Sequence, residues 1–263
     1  MNYFIKLIIF ILAIFLFKKM CFSEDKPYSE QELKSGSYFA KKETREIEKD
    51  DFANPGMIWV ERGEEIFNLI QGPKNISCAS CHNSSNLSLA NAATKYPKID
   101  KKEKYLVNLE QKINLCRKNK MDVKSFELES KPLLSLSTYV SYLSRGKAMN
   151  VSIDGEAKKY FLRGKELYFR RIGQMNLACN QCHDEQAGSF LRSEKISQGH
   201  INGFPAYLMR WDNIASAHKR FQFCNNQARA EPLDIGHIDY NALQLYIAWR
   251  GNSLLIESPS VRR

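Results

Sequence analysis

Two short runs carry the most specific chemistry in the chain: Cys78-Ala79-Ser80-Cys81-His82 and Cys179-Asn180-Gln181-Cys182-His183. Both are CxxCH, the attachment signature for c-type haem, in which two thiols add across the porphyrin vinyl groups and the adjacent histidine reaches the iron. Zinc ribbons also use paired CxxC but need no histidine after it, and thioredoxin-like sites need a βαβ context that this sequence lacks. With only seven cysteines in 263 residues, two complete motifs are far beyond chance. Two covalently bound haem c groups are therefore expected, held by Cys78, Cys81, Cys179 and Cys182, with His82 and His183 as proximal ligands.

The far side of each iron is open to several donors. Met121, Met149, Met209, His200, His218 and His237 are all available, although single residues of these types are more often packing or surface residues than ligands. The two cysteines outside the motifs are more specific: Cys116 lies 35 residues past Cys81, and Cys224 lies 42 past Cys182. Matching positions in a duplicated unit point to matching roles, and a thiolate is a strong, charge-donating iron ligand. A Cys116–Cys224 disulfide and free buried thiols are the alternatives. His218, Lys219 and Arg220 precede Cys224 and Arg229 follows it. Such cations stabilise a thiolate and attract anions, although a basic cluster is by composition more often a solvated face.

The elements that must position these groups repeat with them. Arg62-Gly63-Glu64-Glu65-Ile66-Phe67 begins sixteen residues before Cys78, and Arg163-Gly164-Lys165-Glu166-Leu167-Tyr168 begins sixteen before Cys179. Apolar-periodic closing helices ending Arg145-Gly146 and Arg250-Gly251 also correspond, pairing Tyr139 with Gln244. The expected fold is mainly α: two tandem cytochrome c-like domains from an internal duplication, with an N-terminal extension. The boundaries are a signal peptide at 1–23, the extension at 24–55, a first haem domain at 56–150, and a second haem domain with a C-terminal tail at 151–263. Turn residues at 149–156 mark the join.

Residues 7–17 form an apolar run of eleven flanked by Lys6, Lys18 and Lys19. That is too short for a membrane-spanning helix and suits the core of a secretory signal, so export to the periplasm is expected, with an uncleaved anchor as the alternative. Cleavage after Ser23 would remove Cys21 and three lysines, taking the net charge from +10 to +7. Six cysteines in an exported chain suggest three disulfides by count alone, but the CxxCH spacing overrides that reading. Nucleic acid is an improbable partner, because the basic residues form no single long block.

Taken together, the residues resemble the SoxA family, the dihaem subunit of SoxAX cytochromes in thiosulfate-oxidising systems. The resemblance spans nearly all of the mature chain. It includes Ser35-Gly36-Ser37-Tyr38-Phe39, Asp50-Asp51-Phe52-Ala53-Asn54-Pro55-Gly56-Met57, both CxxCH motifs, the Cys116 segment, Arg220-Phe221-Gln222-Phe223-Cys224, Arg229-Ala230-Glu231-Pro232, and the tail from Ile256 to Arg262. It implies histidine and cysteine as axial ligands, His82 with Cys116 and His183 with Cys224. It further implies that Cys224 is the active-site sulfur, able to carry a persulfide, and that Arg220 contacts substrate. The implied activity is that of an L-cysteine S-thiosulfotransferase. Thiosulfate is coupled oxidatively to a cysteine of the carrier SoxYZ, with electrons leaving through haem to the partner cytochrome SoxX. Ile235-Gly236-His237 departs from the pattern, which has serine after the glycine. A dihaem electron carrier without bond-making chemistry and a dihaem peroxidase with one open iron are the competing classes.

Overall fold

The computed structural model describes residues 26–83 and 88–263. The signal peptide expected at 1–23, the cleavage expected after Ser23, and Cys21 lie outside the described residues. Among the described residues the α-helices are α1 (Gly36–Phe39), α2 (Lys42–Lys49), α3 (Met57–Asn68), α4 (Ala79–His82), α5 (Leu109–Cys116), α6 (Lys131–Tyr142), α7 (Ala157–Phe169), α8 (Cys179–His183), α9 (Ala217–Gln227) and α10 (Ile238–Arg250). Short strands lie between them: β1 (Lys98–Ile99), β2 (Leu106–Val107), β3 (Phe190–Leu191), β4 (Glu194–Lys195), β5 (Ala206–Leu208), β6 (Asn213–Ala215) and β7 (Ser260–Arg262). The fold is helix-rich, as expected.

Two helix pairs organise the chain, α3 on α6 and α7 on α10. Each opening helix carries a glycine at the contact. A Cβ at Gly63 would lie 2.1 Å from the carbonyl oxygen of Ser135, and one at Gly164 would lie 2.0 Å from that of Ala242. Glycine inside a helix costs about 1 kcal/mol relative to alanine, and here it lets two backbones touch. The contact also sets register. Gly63 faces Ser135 and Tyr139, and Gly164 faces Ala242 and Tyr246. Tyr139 therefore matches Tyr246, two residues beyond the Gln244 that the Arg-Gly endings assign to it. The endings mislead because their arginines do different work: Arg145 pairs with Asp51 at 2.6 Å near the surface, whereas the Arg250 side chain is fully buried against Asp184.

The largest apolar cluster gathers on the second pair, around Phe161, Tyr168, Leu245 and Tyr246, and Leu106 of β2 belongs to it. Asn241 of α10 donates to the Leu106 carbonyl at 3.1 Å and to Gln111 Oε1 at 2.7 Å, so segments before and after residue 150 share one interior. The join itself is packed. Met149 and Val151 are buried, and the Met149 N–H donates to Leu254 O at 2.8 Å. The chain ends are joined as well: β7 runs parallel to β5, and the buried Glu48 of α2 accepts from the Val261 N–H at 2.8 Å and from Arg262. Among the described residues no helix is long and apolar enough to cross a membrane.

The backbone contact generates a prediction. Gly63→Ala and Gly164→Ala should each destabilise the haem-loaded protein by about 1–3 kcal/mol, the usual range for overpacking. Denaturant unfolding followed by circular dichroism measures this, and unchanged midpoints for both variants would remove the glycines from the register argument.

Candidate functional site

The segment before each CxxCH folds alike. Gln71 bridges Ile76 and Ile172 bridges Leu177 as antiparallel pairs. Within these hairpins Gly72 and Asn75 have φ of 74° and 52°, and Gly173 and Asn176 have 66° and 49°. Left-handed backbone favours glycine and tolerates asparagine. Gly-x-x-Asn ending three residues before each motif was thus a readable signal, absent from the repeat described above. Each turn abuts the chain beyond an isolated thiol. A Cβ at Gly72 would lie 2.9 Å from Met121 O, and one at Gly173 would lie 2.0 Å from Ala228 O. The Met175 N–H donates to Ala228 O at 3.2 Å, and Lys74 Nζ to Lys120 O at 2.9 Å. Each CxxCH is thereby fastened to the helix carrying the thiol, α5 or α9.

Three thiols consequently gather in each half. Burial raises the Cys78 thiol, Arg117 opposes this, and Cys116 and Cys81 add to it. Burial pushes Cys179 up to about 12, with Cys224 adding, and burial and Cys224 together raise Cys182. Such influence requires proximity, so Cys116 stands with Cys78 and Cys81, and Cys224 with Cys179 and Cys182. None of the six described cysteines is disulfide-bonded, which leaves no Cys116–Cys224 disulfide.

His183 is held in one tautomer. Its Nδ1 lies 2.7 Å from the Ser197 carbonyl, which can only accept, so Nδ1 carries the proton and Nε2 keeps its lone pair. The close approach of Gly199 forms the cradle: with φ of 75°, its Cβ would lie 2.7 Å from His183 Cγ. Burial lowers His183 to about 4, and the charges of Arg250 and Arg220 push the same way against the Ser197 hydrogen bond. Asp184, the next residue, accepts from Arg250 and from Tyr168 Oη at 2.8 Å, while Tyr28 Oη donates to His183 O at 2.6 Å. His82 lies 6.4 Å from Phe67 by ring centroids and lines a cavity of about 320 Å³ with Leu89, Tyr139 and Leu143.

The other candidate donors have structural places. His218 is buried beside Phe221 and Tyr240, its Nδ1 accepting from the Gly236 N–H at 3.0 Å. His200 is buried edge-on to Tyr28. His237 caps α10, its Nδ1 accepting from the Asp239 N–H at 3.1 Å. That is the acceptor a serine hydroxyl would supply at the same position, which accounts for the departure from the family pattern. Met121 and Met149 are core residues, and Met209 is partly exposed beside β5.

Helix α9 presents the chemically richest face. Ser216 caps it, Oγ accepting from the Lys219 N–H at 3.2 Å. Arg220 and Cys224 then stand one turn apart on the same side. The Arg220 guanidinium lies 5.1 Å from the Phe223 ring, which is braced edge-on by Trp211 at 5.4 Å. Among the described residues no carboxylate pairs with Arg220, and Cys224 is exposed. In the first half, Asn108 and Gln111 cap α5 reciprocally at 2.9 and 3.1 Å, and Cys116 is its last residue, partly buried.

The SoxA/TsdA cytochrome c domain profile matches residues 62–149. The L-cysteine S-thiosulfotransferase subunit SoxA of Pseudaminobacter salicylatoxidans is 39% identical over 230 residues, covering 87% of this chain and 80% of that protein. The protein of the same name from Paracoccus pantotrophus is 39% identical over 228 residues, covering 87% and 78%. The crystal structure of SoxXA from P. pantotrophus superposes with a TM-score of 0.83 at 38% identity, covering 88% of this chain and 87% of that one. The chain belongs to the SoxA family.

A cytochrome c domain carries covalently bound haem c, and the donors of this SoxA chain fit such a group. The CxxCH thiols stand beside a histidine, and at His183 the imidazole is neutral with Nε2 free to donate.

The buried histidines set an acid limit on this SoxA fold. Burial holds His200 at about 3 and His218 at about 4, below the ordinary value near 6.5, so the unfolded chain binds protons that the folded one does not. Stability is full above about pH 6.5 and should fall toward pH 4, by about 1.4 kcal/mol per pH unit for each histidine. Unfolding midpoints between pH 6 and 4 measure the slope. His218→Asn should reduce it by about 1.4 kcal/mol per pH unit, and a slope unaffected by His200→Asn and His218→Asn together would sink the assignment.

Proposed function

We propose that this SoxA chain is the L-cysteine S-thiosulfotransferase subunit of a thiosulfate-oxidising system, with its reacting site at Cys224. The observation that carries the reading is an exposed thiol one helical turn beyond a guanidinium free of carboxylates among the described residues, beside a half-buried, neutral His183. The curated relatives bear the activity as their name. Domain limits of 24–55, 56–150 and 151–263 are proposed with it, as are haem at both CxxCH motifs, with His82 and Cys116 on one iron and His183 and Cys224 on the other. The leader at 1–23 directs the chain to the periplasm. The structural neighbour is a SoxXA complex, and a SoxX-type cytochrome is the proposed partner here, with SoxYZ as carrier.

In this mechanism Arg220 orients thiosulfate, a dianion, by charge-assisted hydrogen bonds next to Cys224. The Cys224 thiolate, or a persulfide built on it, forms an S–S bond to the outer sulfur of thiosulfate, and two electrons leave. Haem, when bound, accepts such electrons one at a time and passes them on. A carrier thiolate then displaces the Cys224 sulfur by ordinary thiol exchange, without further oxidation, and the carrier leaves as the S-thiosulfonate. Cys224 returns to its starting state. Exposure of Cys224 supports this step, since a protein-borne thiol must reach it.

Replacing Cys224 by alanine should abolish loading of thiosulfate onto the carrier while the remaining haem still exchanges electrons with a reductant. Wild-type loading by that variant, measured by carrier mass, would favour a simple electron carrier. Arg220→Leu should lower kcat/KM for thiosulfate by about 10–100-fold, the scale of a lost charged hydrogen bond, with haem content unchanged. Equal loss of both would assign Arg220 to folding. The intact mass of the exported protein reads out both haems, removal of residues 1–23, and any persulfide as about 32 Da per sulfur.

A further inference from the structure

The two thiol helices are built alike in one respect that separates their chemistry. Each carries a cation four residues before its cysteine, Lys112 before Cys116 on α5 and Arg220 before Cys224 on α9. Positions i and i+4 share a helix face, so each thiol has a positive neighbour. Lys112 is the strongest of the charges favouring the Cys116 thiolate, ahead of Lys120.

What differs is the company that each cation keeps. Lys112 Nζ lies 2.7 Å from Asp100 Oδ2, a carboxylate whose side chain is only 5% exposed. Asp100 is fixed in the turn between β1 and β2: its Oδ1 accepts from the N–H groups of Lys102 at 2.9 Å and Glu103 at 3.0 Å. Burial alone would raise this carboxyl, but Lys112 and the two N–H groups outweigh it and hold it at about 2, so the charge is permanent. The cation at the first thiol is already neutralised, and the carboxylate that does so also acts against negative charge on Cys116. Arg220 has no such carboxylate among the described residues. Burial of Lys112 does not explain the difference, because its side chain remains 35% exposed and reachable by a small ion.

We infer that Asp100 is the specificity residue that denies sulfur dianions the first thiol, so that thiosulfate is received at Cys224 alone. This rests on the proposed role of Arg220, and the two can fail separately. Binding of thiosulfate to ascorbate-reduced, haem-loaded protein, with no carrier present so that no coupling occurs, is measured by calorimetry. Wild type should bind one equivalent and Arg220→Leu none. Asp100→Asn keeps an oxygen for the turn N–H groups while removing the charge, and it should bind two. Asp100→Asn with Arg220→Leu should bind one, and Asp100→Asn with Lys112→Gln should return to one. Haem content and circular dichroism report folding for every variant.

The inference is overturned if Asp100→Asn folds and gains no site over wild type. It is equally overturned if the gained site survives Lys112→Gln; if Arg220→Leu alone still binds one equivalent, the Arg220 reading fails instead. Absence of any binding by wild type would instead remove the Arg220 reading, and the gain or its absence in Asp100→Asn still decides the role of Asp100.

Discussion

The buried ion pair between Arg250 and Asp184 is the constraint from which the second half of the molecule follows. An arginine with no exposed side-chain surface survives only if its charge is met by a fixed partner, and removing one member would strand the other in the interior. Asp184 meets it from the residue directly after His183, Tyr168 adds a hydroxyl to the same carboxylate and lays its ring 4.3 Å from the guanidinium, and burial of Asp184 is thereby tolerated. Because Arg250 ends α10 and Tyr168 lies on α7, this polar knot can close only when those helices are in register. The Gly164 contact sets that register. A residue spacing far from the CxxCH thus decides where His183 points.

The same knot gathers the N-terminal segment. Tyr28 donates to the His183 carbonyl, and the Gln198 amide donates to Glu32 O while its oxygen accepts from the Lys34 N–H. This segment therefore walls the histidine from behind, which accounts for its ordered path over a domain that could bury its own core. The first half has a different arrangement. Arg117, next to Cys116, is buried against the Phe126 ring and donates to Gln71 and to the Lys124 carbonyl, with no acidic partner of the Asp184 kind among the described residues. The two halves share the hairpin, the motif and the thiol helix, and differ in the polar support around them.

What sequence could disclose follows the range of the forces involved. CxxCH, the opening helices and the N-caps are local, fixed by residues within a few positions of one another, and the structure places them where spacing puts them. The hairpins with Gly72 and Asn75, or Gly173 and Asn176, were equally local and needed only attention to left-handed backbone. By contrast, the pairing of Arg250 with Asp184 spans 66 residues and that of Glu48 with Arg262 spans 214, and neither leaves a periodic trace. The aligned Arg-Gly endings show the cost of reading a residue type without its partner. Identical letters at 145 and 250 covered a surface pair and a buried one, and the alignment slipped by two residues.

Helix polarity explains why cations beside the thiols matter. Cys224 lies in the last turn of α9, and Cys116 ends α5 where the chain continues into a π-helical turn, Arg117–Met121, so neither thiol stands at the positive, N-terminal end of a helix dipole. Neither cysteine can be activated by its own helix, unlike a thiol at a helix N-terminus. Stabilising charge must come from a side chain or from an electrophile held by the CxxCH opposite. A cation already committed to a carboxylate can support only the second route, which suits a sulfur kept as a fixed donor. A cation without that commitment can serve the sulfur and an incoming anion together. On the proposed function, the division of labour between two otherwise matched sites therefore reduces to the charge count within one helical turn of each thiol.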